Sequence, residues 1–492
     1  MPIWLSTDSS IFVTMPTVII TRTGLERNTS SIKECTMNKE FFENVFEERK
    51  EAFIEGWKQF LRFPSISAEA AHADDCRNCA GWLVSEMERI GFKSRLLETS
   101  SLPVVYGEFQ GRKKGPQILF YGHYDVQPVD PLDLWHSQPF EPELRGPRMY
   151  ARGAQDNKGQ VFYFLKALEV LIAEGRLECP VKVFLEGEEE SGGQGIMGAL
   201  PTWGELIKGD VLMVCDTGMP HAQVPAITLG LRGVLHLMLR LSGPKSDLHS
   251  GMHGGAVKNP ASEMARMVAS LHKSDGSIAV AGYYDDLLPV DELDLKLAMA
   301  EAFDEKQYEE STGVKATGGE QGRSCIERRG FRPTIEVNGI HSGYEGPGNK
   351  TIIPAIAEAK ISSRLAAGQD PARCLEMIKT HFRAQAPAEF KLEFPEEGVG
   401  GPALRISASS RAVEQAREVL RELYGERISH VWEGASIPIV STFAELSGAE
   451  PLLVGFGLDL DSIHAPNESF SLEQFKQGFL YSCLYLSRAC RA

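Results

Sequence analysis

The sequence predicts an α/β domain that is interrupted by an inserted α+β domain, and three observations support this fold class. Apolar runs of strand length alternate with helical stretches in the first half, as in a mixed, largely parallel sheet. Beyond about residue 227 the pattern changes to long alternating strands and separate helices, which is typical of a two-layer α+β sandwich. Beyond about residue 400 the α/β pattern returns. We therefore predict an α/β domain from 37–227 and 399–492, with an insertion at 228–398.

Two amphipathic helices open the α/β domain, over about residues 42–63 and 80–90. Pro64 ends the first helix because proline lacks the required donor. The strand-length runs are "QILFYGH", "VKVFLE" and "DVLMVCD", and the stretch "KGQVFYFLKALEVLIAEG" between the first two predicts a helix. This order of elements is expected of a parallel sheet with helical crossovers.

The insertion begins with "AITLGLRGVLHLMLRLSG", which the alternation predicts to be one long strand. A helix after Pro260, strands near Thr334 and Ile356, and a helix from Pro371 follow. In the returning α/β part we predict a helix in "SSRAVEQAREVLREL", strands in "SIPIVSTF" and "PLLVGFG", and a closing helix from Ser471.

Composition excludes several classes of partner. The net charge of −16 disfavours nucleic acid and anionic membranes. No apolar run approaches the eighteen residues of a membrane helix. Nine scattered cysteines, an odd number, favour reduced thiols and a cytoplasmic protein; Cys76 and Cys79 form a C-x-x-C that no second pair completes as a zinc ribbon. Residues 1–36 carry no basic region or cleavage site, and we predict a disordered extension.

The stretch "FLEGEEESGG" crowds four carboxylates behind an apolar run: Glu186, Glu188, Glu189 and Glu190. Adjacent carboxylates repel and raise one another's pKa unless a cation holds them. The cluster is therefore either solvated or built around a cation.

Other polar residues also follow strands of the α/β domain, where ligands bind in open sheets. They are His123 and Asp125 in "FYGHYDVQP", Asp156 in "ARGAQDNKG", Asp216 in "VCDTG" and His464 in "DSIHAPNE". Imidazoles and carboxylates without a cysteine suit zinc, manganese or cobalt. Two ions that share a carboxylate need two imidazoles, two terminal carboxylates and one bridge, which this set supplies together with Glu190. Asp125 would accept the second ring N–H of His123 and fix its tautomer.

Six motifs then identify a resemblance that runs from about Phe42 to the C-terminus: "GHYDVQP", "RGAQDNKG", "EGEEESGG", "DLHSGMHGG", "GNKTIIPA" and "IHAPNE". In order and spacing the chain resembles the dinuclear zinc peptidases, a family that includes cytosolic non-specific dipeptidase, carnosinase, carboxypeptidase G, aminoacylase and succinyl-diaminopimelate desuccinylase. The resemblance implies a zinc-peptidase-like catalytic domain. It implies that His123 and Asp216 hold one ion, Glu190 and His464 the other, and that Asp156 bridges them. It also implies that Glu189 is the catalytic base and that the peptide bond from Asp156 to Asn157 is cis.

The same resemblance implies that the insertion is a lid and that the protein forms a homodimer through it. His249 in "DLHSG" would reach the partner's active site and stabilise the oxyanion. Arg364 would bind the substrate's C-terminal carboxylate in the bidentate geometry of arginine. Thr351 and Ser436 would add hydrogen bonds, and Glu433 could pair with a free α-amine.

Two features favour dipeptides as substrates within this family: an aspartate at position 216, and an insertion as long as that of the dipeptidase branch. The mechanism would be hydrolysis by metal-activated water with Glu189 as base. Two alternatives remain open: an N-acyl-amino-acid deacylase or carboxypeptidase of the same family, and a non-catalytic metal-binding protein of the same fold. A nucleotide binder, suggested by "GYEGPGNKT", is rejected because Asn349 moves Lys350 out of the phosphate-loop register and no α/β nucleotide-binding unit surrounds it.

Overall fold

The structure is a computed structural model that describes residues 38–301 and 303–489, apart from the side chain of Ser311. The chain divides into two units, Met1–Thr36 and Met37–Ala492, and the described residues belong to the second. The predicted extension 1–36 lies outside the described residues. Within the described ranges, no helix is long and apolar enough to cross a membrane.

The strands follow one another in chain order as β1 Lys93–Leu97, β2 Val104–Phe109, β3 Ile118–His123, β4 Glu143–Arg145, β5 Arg148–Tyr150, β6 Val181–Glu186, β7 Val211–Val214, β8 Ala226–Leu231, β9 Gly233–Ser242, β10 Leu248–His249, β11 Thr334–Ser342, β12 Ile352–Ile353, β13 Ile356–Leu365, β14 Lys391–Val399, β15 Leu404–Arg405, β16 Ser429–Glu433, β17 Glu450–Leu453 and β18 Ser469–Ser471.

The helices are α1 Lys39–Leu61, α2 Ala73–Arg89, α3 Lys158–Ala173, α4 Gln194–Ala199, α5 Ser250–His253, α6 Pro260–Ala269, α7 Glu292–Ala300, α8 Glu305–Thr312, α9 Cys325–Gly330, α10 Pro371–Gln385, α11 Arg411–Tyr424, α12 Pro438–Ser447 and α13 Leu472–Ala489. Helix α2 begins at Ala73, earlier than predicted, and both Cys76 and Cys79 are buried in it.

The main sheet has the strand order β1-β2-β6-β3-β7-β17-β8-β15, and β16 also pairs with β8. Its central strands β6, β3, β7 and β17 are parallel, whereas β1, β2 and β15 join antiparallel. Parallel pairing brings the carboxyl ends of β3, β6 and β7 to one edge of the sheet. Buried apolar side chains, among them Phe120, Phe184 and Leu212, pack this sheet against the helices. The predicted α/β class is confirmed.

The inserted segment forms a second, antiparallel sheet in the order β11-β13-β9-β14. Alternate residues of β9, from Leu235 to Leu241, are buried against helices α6 and α10, and this cluster is separate from the core of the main sheet. One apolar face and one polar face is the pattern that a two-layer sandwich requires. The limits of the two domains stay a prediction.

One predicted strand is in fact two. The run "AITLGLRGVLHLMLRLSG" breaks at Arg232, so that β8 belongs to the main sheet and β9 to the inserted sheet. Strand β8 is buried at every position, whereas β9 alternates between buried and less buried residues. The change of burial pattern marks the passage from one sheet to the other, and the alternating sequence pattern that runs through both strands concealed it.

The predicted strand "SIPIVSTF" is wrong, because residues Pro438–Ser447 form helix α12. Proline at the first helical position loses no hydrogen bond and has its φ already set for a helix. Ile439, Val440 and Phe443 are buried, which is one face at helical spacing. The β-branched residues suggested a strand, but the helical start signal and the packing decided the outcome.

Candidate metal centre

Two groups of side chains at the carboxyl edge of the main sheet are arranged as metal ligands. The first is His123, Asp156 and Asp216, and the second is Asp156, Glu190 and His464. In each group one ligand atom per residue lies within 4.8 Å of the others. Asp156 belongs to both groups, so its two carboxylate oxygens face two sets of donors.

Distances within the groups show how the donor atoms converge. His123 Nε2 lies 3.2 Å from Asp156 Oδ1 and 3.7 Å from Asp216 Oδ2. His464 Nε2 lies 2.9 Å from Asp156 Oδ2 and 3.3 Å from Glu190 Oε2. The five side chains that the sequence singled out as metal ligands are therefore brought together; their role as ligands stays a prediction.

Strand ends and loops position these residues. His123 is the last residue of β3, and Asp216 follows β7. Glu190 lies in a single 3₁₀ turn, Glu189–Ser191, after β6. His464 has a φ of 60°, a left-handed conformation that is uncommon for residues other than glycine. Its loop is tied down by Asn467, which accepts from His136 N at 2.7 Å and donates to Leu134 O at 2.8 Å.

The charges of the cluster fit divalent cations. Burial raises the pKa of Asp216 to about 7, and Asp156 and Glu190 add to this effect. Burial also raises the pKa of Glu189 well above its usual range. Hydrogen bonds to Asp156 and Glu190 raise the pKa of His464 to about 10. Asp156 and Glu190 disfavour the charged form of Asp216, and a bound dication would offset this repulsion. The donors are imidazole nitrogens and carboxylate oxygens, which suits zinc, manganese or cobalt.

Asp125 has a wider set of contacts than the sequence suggested. His123 Nδ1 lies 3.1 Å from the backbone oxygen of Asp125 and 3.3 Å from its Oδ1. The Asp125 carboxylate also accepts the backbone N–H groups of Glu189 at 3.2 Å and of Glu190 at 3.0 Å, and the Ser67 hydroxyl at 2.6 Å. One buried carboxylate thus holds both the imidazole and the turn that carries the two glutamates.

Sequence reasoning missed two amide side chains that contact the ligands. Asn157 donates to Asp216 Oδ1 at 2.9 Å and accepts from the backbone N–H of His123 at 3.3 Å. Gln127 donates to Glu190 Oε2 at 2.8 Å. Both stand inside motifs that were recognised, next to the predicted ligands, so their position in "QDNKG" and "DVQP" was the available signal.

A buried ion pair, also missed, supports the loop of Asp156. Arg152 Nη1 donates to Glu468 Oε2 at 2.9 Å, and both side chains are 1% exposed. Glu468 further accepts the backbone N–H groups of Gly153, Gln155 and Asp156 at 2.9, 3.0 and 3.1 Å. A charge buried to this degree must be paired and hydrogen-bonded, and here the pairing fixes the loop. Glu468 ends the motif "IHAPNE".

The two remaining glutamates of the acidic cluster are buried, not solvated. Glu186 accepts from the Tyr121 hydroxyl at 2.6 Å, and burial raises its pKa to about 8. Glu188 accepts from the backbone N–H of Gly195 at 3.1 Å. Both side chains therefore anchor the acidic segment through hydrogen bonds with Tyr121 and Gly195.

The residues predicted to bind substrate lie outside the two ligand groups. Arg364 on β13 donates to Ser436 Oγ at 2.8 Å, so these two residues are adjacent. Burial raises the pKa of Glu433. Thr351 is exposed and directly precedes strand β12. His249 is exposed, and its Nδ1 accepts from the backbone N–H of Gly251 at 3.1 Å. In the neutral ring Nε2 therefore carries the proton.

The peptide bond between Asp156 and Asn157 is cis, as the resemblance implied. An α/β sheet with two histidine–carboxylate groups at its carboxyl edge is the arrangement of a metallopeptidase. The chain belongs to Peptidase family M20/M25/M40, whose model matches residues 119–488, more than half of its length. The predictions of family, enzyme class and fold class are confirmed.

Known relatives cover nearly the whole chain. The Cys-Gly metallodipeptidase dug1 of Schizosaccharomyces pombe is 26% identical over 460 residues, which is 90% of this chain and 96% of that protein. The cysteinylglycine-S-conjugate dipeptidase of Corynebacterium striatum is 29% identical over 428 residues, 85% of this chain and 91% of that protein. A solved M20 family metallo-carboxypeptidase from Sulfolobus solfataricus superposes with a TM-score of 0.80 at 29% identity and covers 89% of this chain and 99% of its own.

Proposed function

We propose that this protein hydrolyses the peptide bond of dipeptides with a water molecule activated by two divalent metal ions. The observation that carries the proposal is the shared carboxylate of Asp156, which faces His123 and Asp216 on one side and Glu190 and His464 on the other. Two donor groups with one member in common are what a pair of ions with a single bridge requires. Similarity to several proteins named as dipeptidases supports the choice of substrate.

His123 and Asp216 would hold one ion, Glu190 and His464 the other, and Asp156 would bridge them. When bound, the ions would lower the pKa of a water molecule toward 7 and polarise the scissile carbonyl. Zinc is the metal we propose, and manganese or cobalt would suit the same donors.

Glu189 would act as the general base. Its backbone is held by Asp125, and beside two bound cations its carboxylate would be ionised, so that it could take a proton from the water and pass it to the leaving amine. Asp125 would orient His123 and the turn of Glu189 together. Within the described acidic cluster, Glu189 is the carboxylate that lies outside the two ligand groups and whose backbone is held by Asp125.

Substrate binding would involve the inserted domain. Arg364 would bind the C-terminal carboxylate of the dipeptide, helped by Ser436 and Thr351, and Glu433 would pair with the free amine. The Arg364–Ser436 contact supports the first part of this assignment, because no carboxylate among the described residues pairs with the guanidinium, which keeps donors for a substrate.

His249 would complete the site of a second copy in a homodimer formed by the inserted domain. It is exposed, and its N–H is directed to Nε2 by the hydrogen bond at Nδ1. A donor with a fixed tautomer suits the stabilisation of an oxyanion. Analytical ultracentrifugation tests the dimer, and a monomer that is fully active would contradict it.

A cytoplasmic location also fits the chain. Six described cysteines, Cys76, Cys79, Cys215, Cys325, Cys374 and Cys483, are free thiols. Free thiols are the usual state in reducing compartments. Fractionation of the host cell would contradict this if the protein were found in an oxidising compartment.

A carboxypeptidase is the second candidate, favoured by the superposition on the metallo-carboxypeptidase, and an N-acyl-amino-acid deacylase is the alternative within the same family. Both reactions use the same ions and base, so only the substrate separates them. The test is a panel of free dipeptides, tripeptides and N-acetyl and N-succinyl amino acids, assayed with zinc, manganese and cobalt in turn. We expect the highest kcat/KM for free dipeptides; a preference for capped amino acids or longer peptides would overturn the dipeptidase assignment.

A further inference from the structure

Arg232 occupies the single position between strand β8 of the main sheet and strand β9 of the inserted sheet. The chain returns beside it, because Val234 N donates to Gly401 O at 3.3 Å and Gly400 N donates to Val234 O at 3.0 Å. Gly233 is needed here, since a Cβ would lie 2.9 Å from Gly401 O. Both passages between the two sheets thus run together at Arg232.

The side chain and the backbone of Arg232 hold the loop that follows β16. Its backbone N–H donates to Ala435 O at 3.1 Å, and its Nε donates to Gly434 O at 3.0 Å. The guanidinium packs so close to this loop that a Cβ at Gly434 would lie 3.1 Å from Nη2. Ser436, two residues after Gly434 in this loop, contacts Arg364.

A second connection runs from Arg232 to the strand pair that carries Arg364. Arg232 Nη1 donates to Thr334 Oγ1 at 3.4 Å, and Thr334 is the register partner of Arg364 between β11 and β13. Burial and the guanidinium of Arg364 lower the pKa of Arg232 to about 10. Both arginines thus contact loop 434–436, Arg232 at Gly434 and Ala435 and Arg364 at Ser436.

We propose that Arg232 is a positioning residue that holds loop 434–436 against Arg364 and thereby sets the affinity for the substrate's carboxylate. The inference rests on the proposed function, in which Arg364 binds that carboxylate. Arg232 need not touch the substrate. Arg232 connects the junction of the two sheets to the loop of Ser436, which contacts Arg364. Because Arg364 would bind the substrate's carboxylate, the effect of replacing Arg232 should depend on whether the substrate has a free carboxylate.

The test compares Arg232→Gln and Arg232→Lys with Arg240→Gln, a control on strand β9 whose guanidinium pairs with Glu358 on the surface. Each variant is loaded with metal and assayed on a dipeptide and on the matching dipeptide amide. We expect Arg232→Gln to raise KM for the free acid about tenfold, to leave kcat within about threefold, and to leave kcat/KM for the amide nearly unchanged. Arg232→Lys should raise KM for the free acid to the same extent, because the single ammonium nitrogen of lysine cannot donate to both Gly434 and Thr334.

An equal loss on both substrates, an unchanged KM in Arg232→Gln, or full recovery in Arg232→Lys would each overturn the proposal. A measurement without substrate distinguishes failure of the Arg232 proposal from failure of the proposed function. In protein labelled with ¹³C at alanine methyl groups, the Ala435 resonance, assigned from Ala435→Ser, should shift or broaden in Arg232→Gln and not in Arg240→Gln. An unmoved resonance overturns the role of Arg232, whereas a wild-type protein inactive on dipeptides overturns the proposed function alone.

Discussion

Asp156 Oδ2 lies 2.9 Å from His464 Nε2, although 308 positions separate the two residues in the sequence. The same carboxylate presents its other oxygen to His123 at 3.2 Å. Loss of this carboxylate should therefore affect both predicted ions at once.

Replacement of Asp156 by asparagine should lower the metal content of the purified protein for both ions together and abolish measurable hydrolysis. The reason is that an amide lacks the negative charge that two dications share. Elemental analysis of dialysed protein measures the content, with Asp275→Asn, an exposed aspartate of the inserted domain, as control. Retention of two ions per chain in Asp156→Asn would contradict the bridging role.

Replacement of Asp125 by asparagine should reduce kcat about 10- to 100-fold and weaken metal binding, while the fold is retained. The amide can no longer accept from both Glu189 and Glu190, so the turn that holds them loses an anchor. A suitable control is Asp370→Asn, because Asp370 also accepts a backbone N–H, that of Arg373 at 2.7 Å, but caps helix α10. Equal activity of the two variants would show that the contacts of Asp125 do not matter for turnover.

The Arg152–Glu468 pair should dominate the stability of the Asp156 loop. Glu468→Gln leaves a buried guanidinium without its partner, which should lower the free energy of unfolding by about 3 kcal/mol or more. The exposed pair Lys258–Glu389 offers a matched comparison, where Glu389→Gln should cost far less, because both charges stay solvated. Denaturant unfolding of the metal-free proteins measures both changes, and similar losses in the two variants would contradict the prediction.

His430 should make the fold sensitive to acid. Burial, together with the guanidinium groups of Arg417 and Arg421, lowers the pKa of His430 from 6.5 to about 4. The unfolded chain therefore binds this proton more readily, and stability should be lost as the pH falls from about 6.5 to about 4. His430→Gln should remove about 1–2 kcal/mol of that loss, allowing for screening by solvent.

Thermal unfolding of wild type and His430→Gln at pH 7.5 and pH 4.5, both in chelator, isolates this effect from metal binding. The difference between the two pH values should be smaller in the variant. An identical difference in both proteins would show that His430 does not titrate between those pH values.

Local signals were sufficient for much of the fold and for the grouping of the candidate ligands. His123 and Asp216 follow apolar runs whose strand character was plain, so their meeting at one sheet edge followed from parallel pairing. The double task of Asp125 was not predictable, because its bonds to Glu189 and Glu190 depend on the turn after β6. Arg232 stood inside one long alternating pattern, and only strand pairing revealed that two sheets meet there. Helix α12 was misread because β-branched residues outweighed its helical start.

The most direct test of the account compares wild type with Glu189→Gln for metal content and for hydrolysis of a dipeptide in the same preparation. The account predicts two metal ions per chain in both proteins and at least about a hundredfold loss of kcat in the variant, because the proton acceptor is removed and the ligands are kept. Turnover of Glu189→Gln within tenfold of wild type, with both ions bound, would contradict the assignment of Glu189 as the base.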